Sequence, residues 1–387
     1  MDKHITAPTW AEINLDNIKY NLKNIKKILK EDTKICGVVK ANAYGHGAVQ
    51  ISKLLEREKV DYLAVSRLEE GLELRQNNIN IPILCLGYIP ECALEEAVVN
   101  DISLTVFSYE TALFIDELSK KHEKISKVHI KIDTGMGRIG FQINEDSINE
   151  ISKIDKLENI NIEGIYTHFA TADEKDKGYM LNQVNKYNIV IKKLDEIGID
   201  IPIKHVSNSA ATMECNDLNF NMVRCGIILY GHYPSDEVNK DIIKLKPAMT
   251  LKTRIAHIKE LEKNSGISYG IKYITNSKEK IATIPIGYAD GFTRMQKNPR
   301  VYIKGEEFDV VGRICMDQCM VKIDKDIDIK VDDEVIIFSE NEDQCIEKIA
   351  DDLGTINYEI LCMISRRVER VYMEGNVIVQ QYNYLVK

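Results

Sequence analysis

Lys34-Ile-Cys-Gly-Val-Val-Lys-Ala-Asn-Ala-Tyr-Gly-His-Gly47 is the stretch on which the reading of the fold turns. Ile35 to Val39 carry no polar side chain, the pattern of a short strand covered on both faces in a parallel sheet. Lys40 closes that run, and a loop with glycines at 45 and 47 follows. A lysine at the end of an apolar strand is partly desolvated, which lowers its pKa and frees an amine able to form an imine. Taken alone, it more readily fits a side chain that lays its stem along the strand and puts its ammonium in water.

Outward from this stretch, residues 12 to about 225 alternate short apolar runs with amphipathic patterns. The runs are Ile35–Lys40, Tyr62–Val65, Ile83–Leu86, Leu104–Phe107, Lys127–Asp133, Ile160–His168, Ile203–Ser207 and Met222–Gly226. Helical patterns lie between them, among them 48–58, 67–77, 91–99, 110–122, 147–154 and 178–197. Such alternation predicts a parallel sheet with crossover helices, and eight strands fit a TIM-type (β/α)8 barrel better than a doubly wound sheet. Barrel enzymes carry their chemistry at the C-terminal ends of the strands. Lys40, Arg138, His168, Ser209 and Arg224 all fall at or just after such ends.

Beyond Gly231 the texture changes to strand-like runs at 247–258, 280–286, 300–303, 307–315, 319–323 and 334–338, with two helical patterns near 344–352 and 357–366. The expected architecture is therefore α/β, with a barrel over 12–239 and a mostly β domain over 240–387. The linker falls near 232–240, where turn formers cluster. Residues 1–11, with Trp10-Ala-Glu-Ile-Asn-Leu15 continuing them, are expected to be extended and to pack with the C-terminal domain.

The formal charge of -9 argues against a nucleic-acid surface. The basic cluster Lys23, Lys26, Lys27 and Lys30 lies opposite an apolar helix stripe and reads as a wet face. Nine cysteines, several inside apolar runs, suggest reduced thiols in a cytoplasmic protein rather than a disulfide framework. Cys315 and Cys319 have no accompanying pair, so no metal site is expected. No signal peptide or membrane span is read from the N-terminus.

Several constellations carry two readings. In Lys131-Ile-Asp-Thr-Gly-Met-Gly-Arg-Ile-Gly140 the glycines satisfy G-x-G-x-x-G, with Asp155 as a ribose partner. This is the fifth strand-helix unit, however, and the same glycines would let backbone approach closely while Arg138 forks onto a carboxylate or phenolate. Ser209 after Asn208 can open a helix whose amides face an anion, and Gly226 permits close backbone approach; a plain N-cap is the simpler alternative. Arg224 fits an ion pair, and His168 a hydrogen-bonded structural histidine.

The literal string Val38-Val-Lys-Ala-Asn-Ala-Tyr-Gly-His-Gly47 resembles the cofactor-attachment segment of the bacterial alanine racemase family, fold-type-III pyridoxal-phosphate enzymes. Gly266-Ile-Ser-Tyr-Gly270, Gly287-Tyr-Ala-Asp-Gly291, Gly312-Arg-Ile-Cys-Met-Asp317 and Asn357-Tyr-Glu359 extend the likeness, from Thr9 through Val368. The resemblance implies a homodimer whose active sites each combine one barrel with the partner's β domain. It implies pyridoxal 5'-phosphate bound to Lys40, its pyridine nitrogen on Arg224 and its phosphate held by Tyr44, Asn208, Ser209, Gly226, Ile227 and Tyr358. Arg138, supported by Lys131 (often carbamylated in relatives), would meet the phenolate oxygen and the substrate carboxylate, which the Met316 amide would also bind. His168 would stand between Arg224 and Tyr269 of the other subunit, with Tyr288, Asp173 and Asp317 in support.

The implied reaction is two-base racemisation of alanine, with Lys40 on one face of Cα and Tyr269 on the other, supplying D-alanine for peptidoglycan. The bulk of Tyr358 suits alanine's methyl group. A serine or broad-specificity racemase, a fold-type-III decarboxylase and a barrel-only cofactor carrier are the alternatives; the β domain and Tyr269 speak against the carrier.

Overall fold

The computed structural model describes residues 5–386, so Met1–His4 of the expected N-terminal strand lie outside the described residues. The chain divides into two compact units: 19–43 with 48–245, and 1–18 with 44–47 and 246–387. The first strand, β1 (Thr9–Asn14), belongs to the second of these.

In the unit built on 19–43 and 48–245, eight parallel strands follow: β2 (Lys34–Val38), β3 (Tyr62–Val65), β4 (Ile83–Cys85), β5 (Ile102–Val106), β6 (Ser126–Lys131), β7 (Ile160–Tyr166), β8 (Ile203–His205) and β9 (Met222–Cys225). Their order is β8-β7-β6-β5-β4-β3-β2-β9. The two ends are joined by backbone bonds from Asn221 N to Lys204 O and from Arg224 N to Ser207 O, each 3.0 Å. The sheet is thus a nearly closed barrel rather than an open doubly wound sheet. Helices at Ala48–Arg57, Leu68–Gln76, Glu91–Val99, Tyr109–Lys121, Glu145–Ile154 and Gly178–Glu196 cross between strands.

The barrel interior departs from the usual filling of branched apolar side chains. Ring contacts join strands that are not neighbours: Tyr62 on β3 meets His129 on β6, and His129 meets His205 on β8. Only side chains pointing into the barrel can do this. Because side chains alternate along a strand, Lys127, His129 and Lys131 share the inner face of β6.

The other unit is mostly β. Its main sheet contains β10 (Met249–Arg254), β11 (His257–Leu261), β14 (Glu279–Ile284), β15 (Arg300–Ile303), β16 (Glu306–Val311), β17 (Cys319–Ile323), β18 (Glu334–Phe338), β19 (Glu369–Glu374) and β20 (Val377–Tyr382), while β12 (Gly266–Ile267) and β13 (Tyr273–Ile274) form a small hairpin. The run expected as one strand over 247–258 is two. Ile255 N bonds Asp333 O and Ala256 N bonds Thr283 O, so the chain changes neighbours between consecutive residues. The run expected over 307–315 stops at Val311, because Gly312 turns with φ 74°. β1 lies between β10, antiparallel, and β19, parallel, and buries Trp10, Ala11 and Ile13.

Candidate active site

Lys40 stands just beyond β2, and the backbone after it does something no sequence pattern announced. Ala41, Asn42, Ala43 and Tyr44 have φ of 51, 56, 53 and 51°, a left-handed helical turn without a glycine. Each such residue costs about 1–2 kcal/mol relative to the right-handed form. Specific bonds hold the turn: Ala43 N donates to Val39 O at 2.8 Å, Ala41 N to the Glu70 carboxylate at 2.5 Å, and Ala48 N to Asn42 Oδ1 at 3.0 Å. Glu70 also accepts from Ser66 N and Arg67 N, so one carboxylate at a helix start ties the Lys40 turn to the end of β3.

Arg224, on β9, is buried, and both of its terminal nitrogens are engaged. Nη1 donates to His205 Nδ1 and His205 O, both at 3.0 Å; Nη2 donates to Thr167 O at 2.8 Å and Val206 O at 2.9 Å, and faces His168 Nδ1 at 3.4 Å. No carboxylate pairs with it among the described residues. Tyr166 lies under the guanidinium, 5.3 Å from its ring centroid, stacks on His205 and bonds Thr105.

His168 is half-buried. Burial, and then the cations Arg224, Arg138, Lys131 and Lys40, hold its pKa well below the ordinary histidine range. The same four cations thus converge on this end of the barrel. Lys131 is buried and donates to Ile132 O at 2.7 Å; burial, followed by Arg224, brings its amine down to about 7. Arg138 is exposed on the loop after β6. There Asp133 Oδ1 accepts from Gly135 N and Gly137 N, each at 3.0 Å, and Phe141 pairs back onto Lys131 and Asp133. The loop therefore folds on the strand end before the next helix starts at Glu145, and Asp155 caps that helix at its far end. The glycines make a loop rather than a dinucleotide cradle.

Asn208, not Ser209, is the N-cap of the helix Ser209–Glu214: its side chain accepts from Ala211 N at 3.1 Å. Ser209 Oγ instead accepts from Gly226 N at 3.0 Å. The start of this helix and that of the short 3-10 turn Ile227–Tyr230 are thereby joined, bringing Ser209, Gly226 and Ile227 together. Asp173 is half-buried on the loop after β7, and its carbonyl accepts from Ser235.

In the β-rich unit, the Tyr44 and Tyr358 rings lie 6.0 Å apart, with Tyr44 buried. The glycines of Tyr-Gly-His-Gly are explained by close approach: a Cβ on Gly45 would come within 2.3 Å of Leu361 O, and one on Gly47 within 1.9 Å of Tyr372 Oη. Tyr269 sits in the β12–β13 turn, 69% exposed, between Ser268 and Gly270, both at positive φ. Backbone bonds stitch the neighbouring turns: Tyr288 N to Cys315 O and Ala289 N to Met316 O, both at 3.1 Å. Ser268 Oγ bonds Arg313 O at 2.6 Å, and Arg367 bridges Asp317 at 2.8 Å and Asp290 at 3.0 Å.

The sequence reading overlooked Glu70, Tyr166, His205, His129 and Glu163. For the histidines a signal existed: polar residues at alternate positions of Lys127-Val-His-Ile-Lys131, in a strand expected to be covered on both faces, point to a polar barrel interior. Nothing comparable marked Glu70.

The chain matches the family model described as alanine racemase, N-terminal domain, over residues 13–234, and that described as alanine racemase, C-terminal domain, over 248–372. It is 50% identical over 371 residues to an alanine racemase of Methanococcus maripaludis, covering 95% of this chain and all of that one. A solved alanine racemase of Clostridium difficile 630 superposes with TM-score 0.97 at 65% identity, over 99% of this chain and 100% of that one. The same organism's enzyme in complex with cycloserine superposes with TM-score 0.95 at 63% identity and the same coverage.

Proposed function

The chain belongs to the alanine racemase family and its reaction is that of an isomerase exchanging L- and D-alanine; from that premise we propose that it works with pyridoxal 5'-phosphate and two opposed bases, Lys40 and Tyr269. The observation that carries this reading is Arg224, a buried guanidinium whose two terminal nitrogens are held by carbonyls and imidazoles and which pairs with no carboxylate among the described residues. Such a fixed cation suits a neutral aromatic nitrogen, which it keeps unprotonated.

The surrounding donors fit the rest of that cofactor. Lys40 would hold it covalently, and the joined backbone starts at Ser209 and Gly226–Ile227, with Asn208, Tyr44 and Tyr358, would take its phosphate. Arg138 would meet its phenolate oxygen. When bound, it supplies a conjugated system that accepts the electrons left on Cα, so that the Cα proton becomes acidic.

The chain's own groups then divide the proton work. Lys40 Nζ removes or returns the proton on one face, and Tyr269 of a second copy does so on the other. A phenol serves as a base near neutral pH only beside cations or hydrogen-bond donors. His168 would offer that help: its Nδ1 faces Arg224 Nη2 at 3.4 Å, and a proton on its Nε2 would point away from the guanidinium toward the phenol. Arg138 and the Met316 amide would bind the substrate carboxylate. Lys131, with an amine near neutrality beside Arg138, is in the state that takes up carbon dioxide as a carbamate, whose anion would fix that guanidinium. The exposure of Tyr269 supports a homodimer in which each β-rich unit serves its partner's barrel. We read the setting as cytoplasmic, with D-alanine passing to peptidoglycan. No helix among the described residues is long and apolar enough to cross a membrane.

Circular dichroism of L-alanine, and separately of L-serine, incubated with the protein and pyridoxal phosphate tests this. The alanine signal should decay to zero much faster than the serine signal. Release of carbon dioxide would point to the decarboxylase, and a static alanine signal beside bound cofactor to a carrier.

A further inference from the structure

Arg224 presents an electrostatic problem. A buried guanidinium bonded only to neutral groups is costly unless a negative charge compensates it. The compensation is found by following the hydrogen bonds away from the site. His205 Nε2 lies 2.9 Å from His129 Nδ1, and His129 Nε2 lies 3.5 Å from Glu163 Oε2. Both of those last two atoms are buried without a hydrogen-bond partner, so they face each other across a gap too long for a formed bond. Both histidines are fully buried, and the Glu163 side chain is 13% exposed. Lys127 reaches the same carboxylate at 3.1 Å and Tyr62 faces it.

The direction of every proton in this file follows from one fact: a guanidinium can only donate. His205 Nδ1 must accept from Arg224, so the His205 proton is on Nε2. That proton goes to His129 Nδ1, so His129 carries its own on Nε2 and turns it toward the Glu163 carboxylate, 3.5 Å away. The file is thus polarised from end to end, with a cation at one terminus, an anion at the other and two neutral rings between. Burial, and then the Arg224 charge for His205, depresses both imidazoles. Burial would raise Glu163, but the facing donors His129, Tyr62 and Lys127 outweigh it and bring the carboxyl to about 2.

The backbone is shaped for the file. The β6–β7 register pairs Val128 with Ile162 but His129 with Gly164, leaving Glu163 as the extra residue of a bulge, a device that re-aims a side chain. A Cβ on Gly164 would lie 2.2 Å from His129 Nδ1, so only glycine leaves room for the ring.

We propose that Glu163 is the counter-charge of Arg224, a positioning residue acting through His129 and His205 to hold the guanidinium cationic and fixed. Its effect on the cofactor rests on the function proposed above; the proton order of the file does not. The test therefore has two arms. Nitrogen-15 spectra of histidine-labelled full-length protein, recorded as purified with cofactor and again after its removal, should show His129 and His205 neutral with the proton on Nε2 in both. An Nδ1-protonated or doubly protonated ring at either position overturns the file. In the second arm, Glu163→Gln in the loaded enzyme should lower kcat on the order of ten-fold with KM for alanine nearly unchanged, and should shift the visible absorption band of the bound cofactor. His129→Gln should do the same, and the double variant should be no worse than either single one, because all act through one path. Additive losses, or a folded Glu163→Gln enzyme with unchanged kcat and spectrum, overturn the proposal. Failure to bind pyridoxal phosphate at all would sink the functional reading and leave the first arm to decide the file.

Discussion

Arg224 and Tyr269 are held in opposite ways. Arg224 lies inside a barrel, buried, with its bonds distributed over β8, the residue that follows it and the end of β7, and a polar file behind it. Tyr269 projects from a two-strand turn, exposed, and only the backbone around it is fixed, through Ser268 on Arg313 and the stitched turns at 287–289 and 315–317. The difference teaches where each region tolerates change. A substitution in the barrel disturbs a set of coupled charges; one at the turn tip removes a single function and leaves the fold alone.

The largest expected effect is at Lys40, which belongs to the barrel but emerges from its strand end. Lys40→Ala should abolish the visible absorption of bound cofactor and lower turnover by about 10⁴-fold or more, since on the proposed function covalent attachment and one base would be lost together. Retained absorption would show that the anchor is elsewhere. Next is Tyr269→Phe, with a loss of about 10²–10⁴-fold in kcat. Its melting temperature and absorption spectrum should match those of the parent, because the hydroxyl is exposed on a turn. Unequal isotope effects in the two directions would sharpen the assignment, and full activity would remove Tyr269 from the mechanism.

How much of this was legible follows the same division. The alternation of apolar runs and helical patterns predicted the barrel, because each two-sided strand and each amphipathic helix is a local pattern. Extended residues around Trp10 suggested a strand, though nothing local told that β1 would pair with both β10 and β19, hundreds of residues away. The left-handed turn at 41–44 was invisible, since Ala-Asn-Ala-Tyr has no glycine and its conformation is imposed by Glu70 and by Ala48. The glycines at 45 and 47 read as loop formers; their actual constraint is the nearness of Leu361 and Tyr372, which is a tertiary fact. The histidine file was half legible, as an alternation in β6. Its closure on Glu163 depends on a bulge, which shifts the face a residue occupies without leaving a mark in the sequence.

A smaller effect tests the packing of that interior. Gly164→Ala drives a methyl group into the His129 ring, and overpacking of this kind costs about 1–3 kcal/mol. Thermal melts should fall by several degrees. The comparison with the turn regions would fail if the loss were as small as that of Tyr269→Phe.

The last test concerns Lys131, and it separates buried charge from buried bulk. Its amine is brought down to about 7, by burial first and then by Arg224. In the unfolded chain it titrates near the ordinary value of about 10.4. Between these two values the unfolded state binds more protons than the folded one, so this residue makes stability rise with pH across the interval. Below about pH 7 both states are protonated and the full penalty of burying the ammonium is present; it is gone above about pH 10.5. Lys131→Met keeps the length and removes the charge. In carbon-dioxide-free buffer, cofactor-free Lys131→Met should therefore melt higher than the parent at pH 7, and the gap should close as pH approaches 10. A gap that is constant with pH would mean that the lysine is buried as a neutral strut, with the cation cluster contributing nothing to its titration.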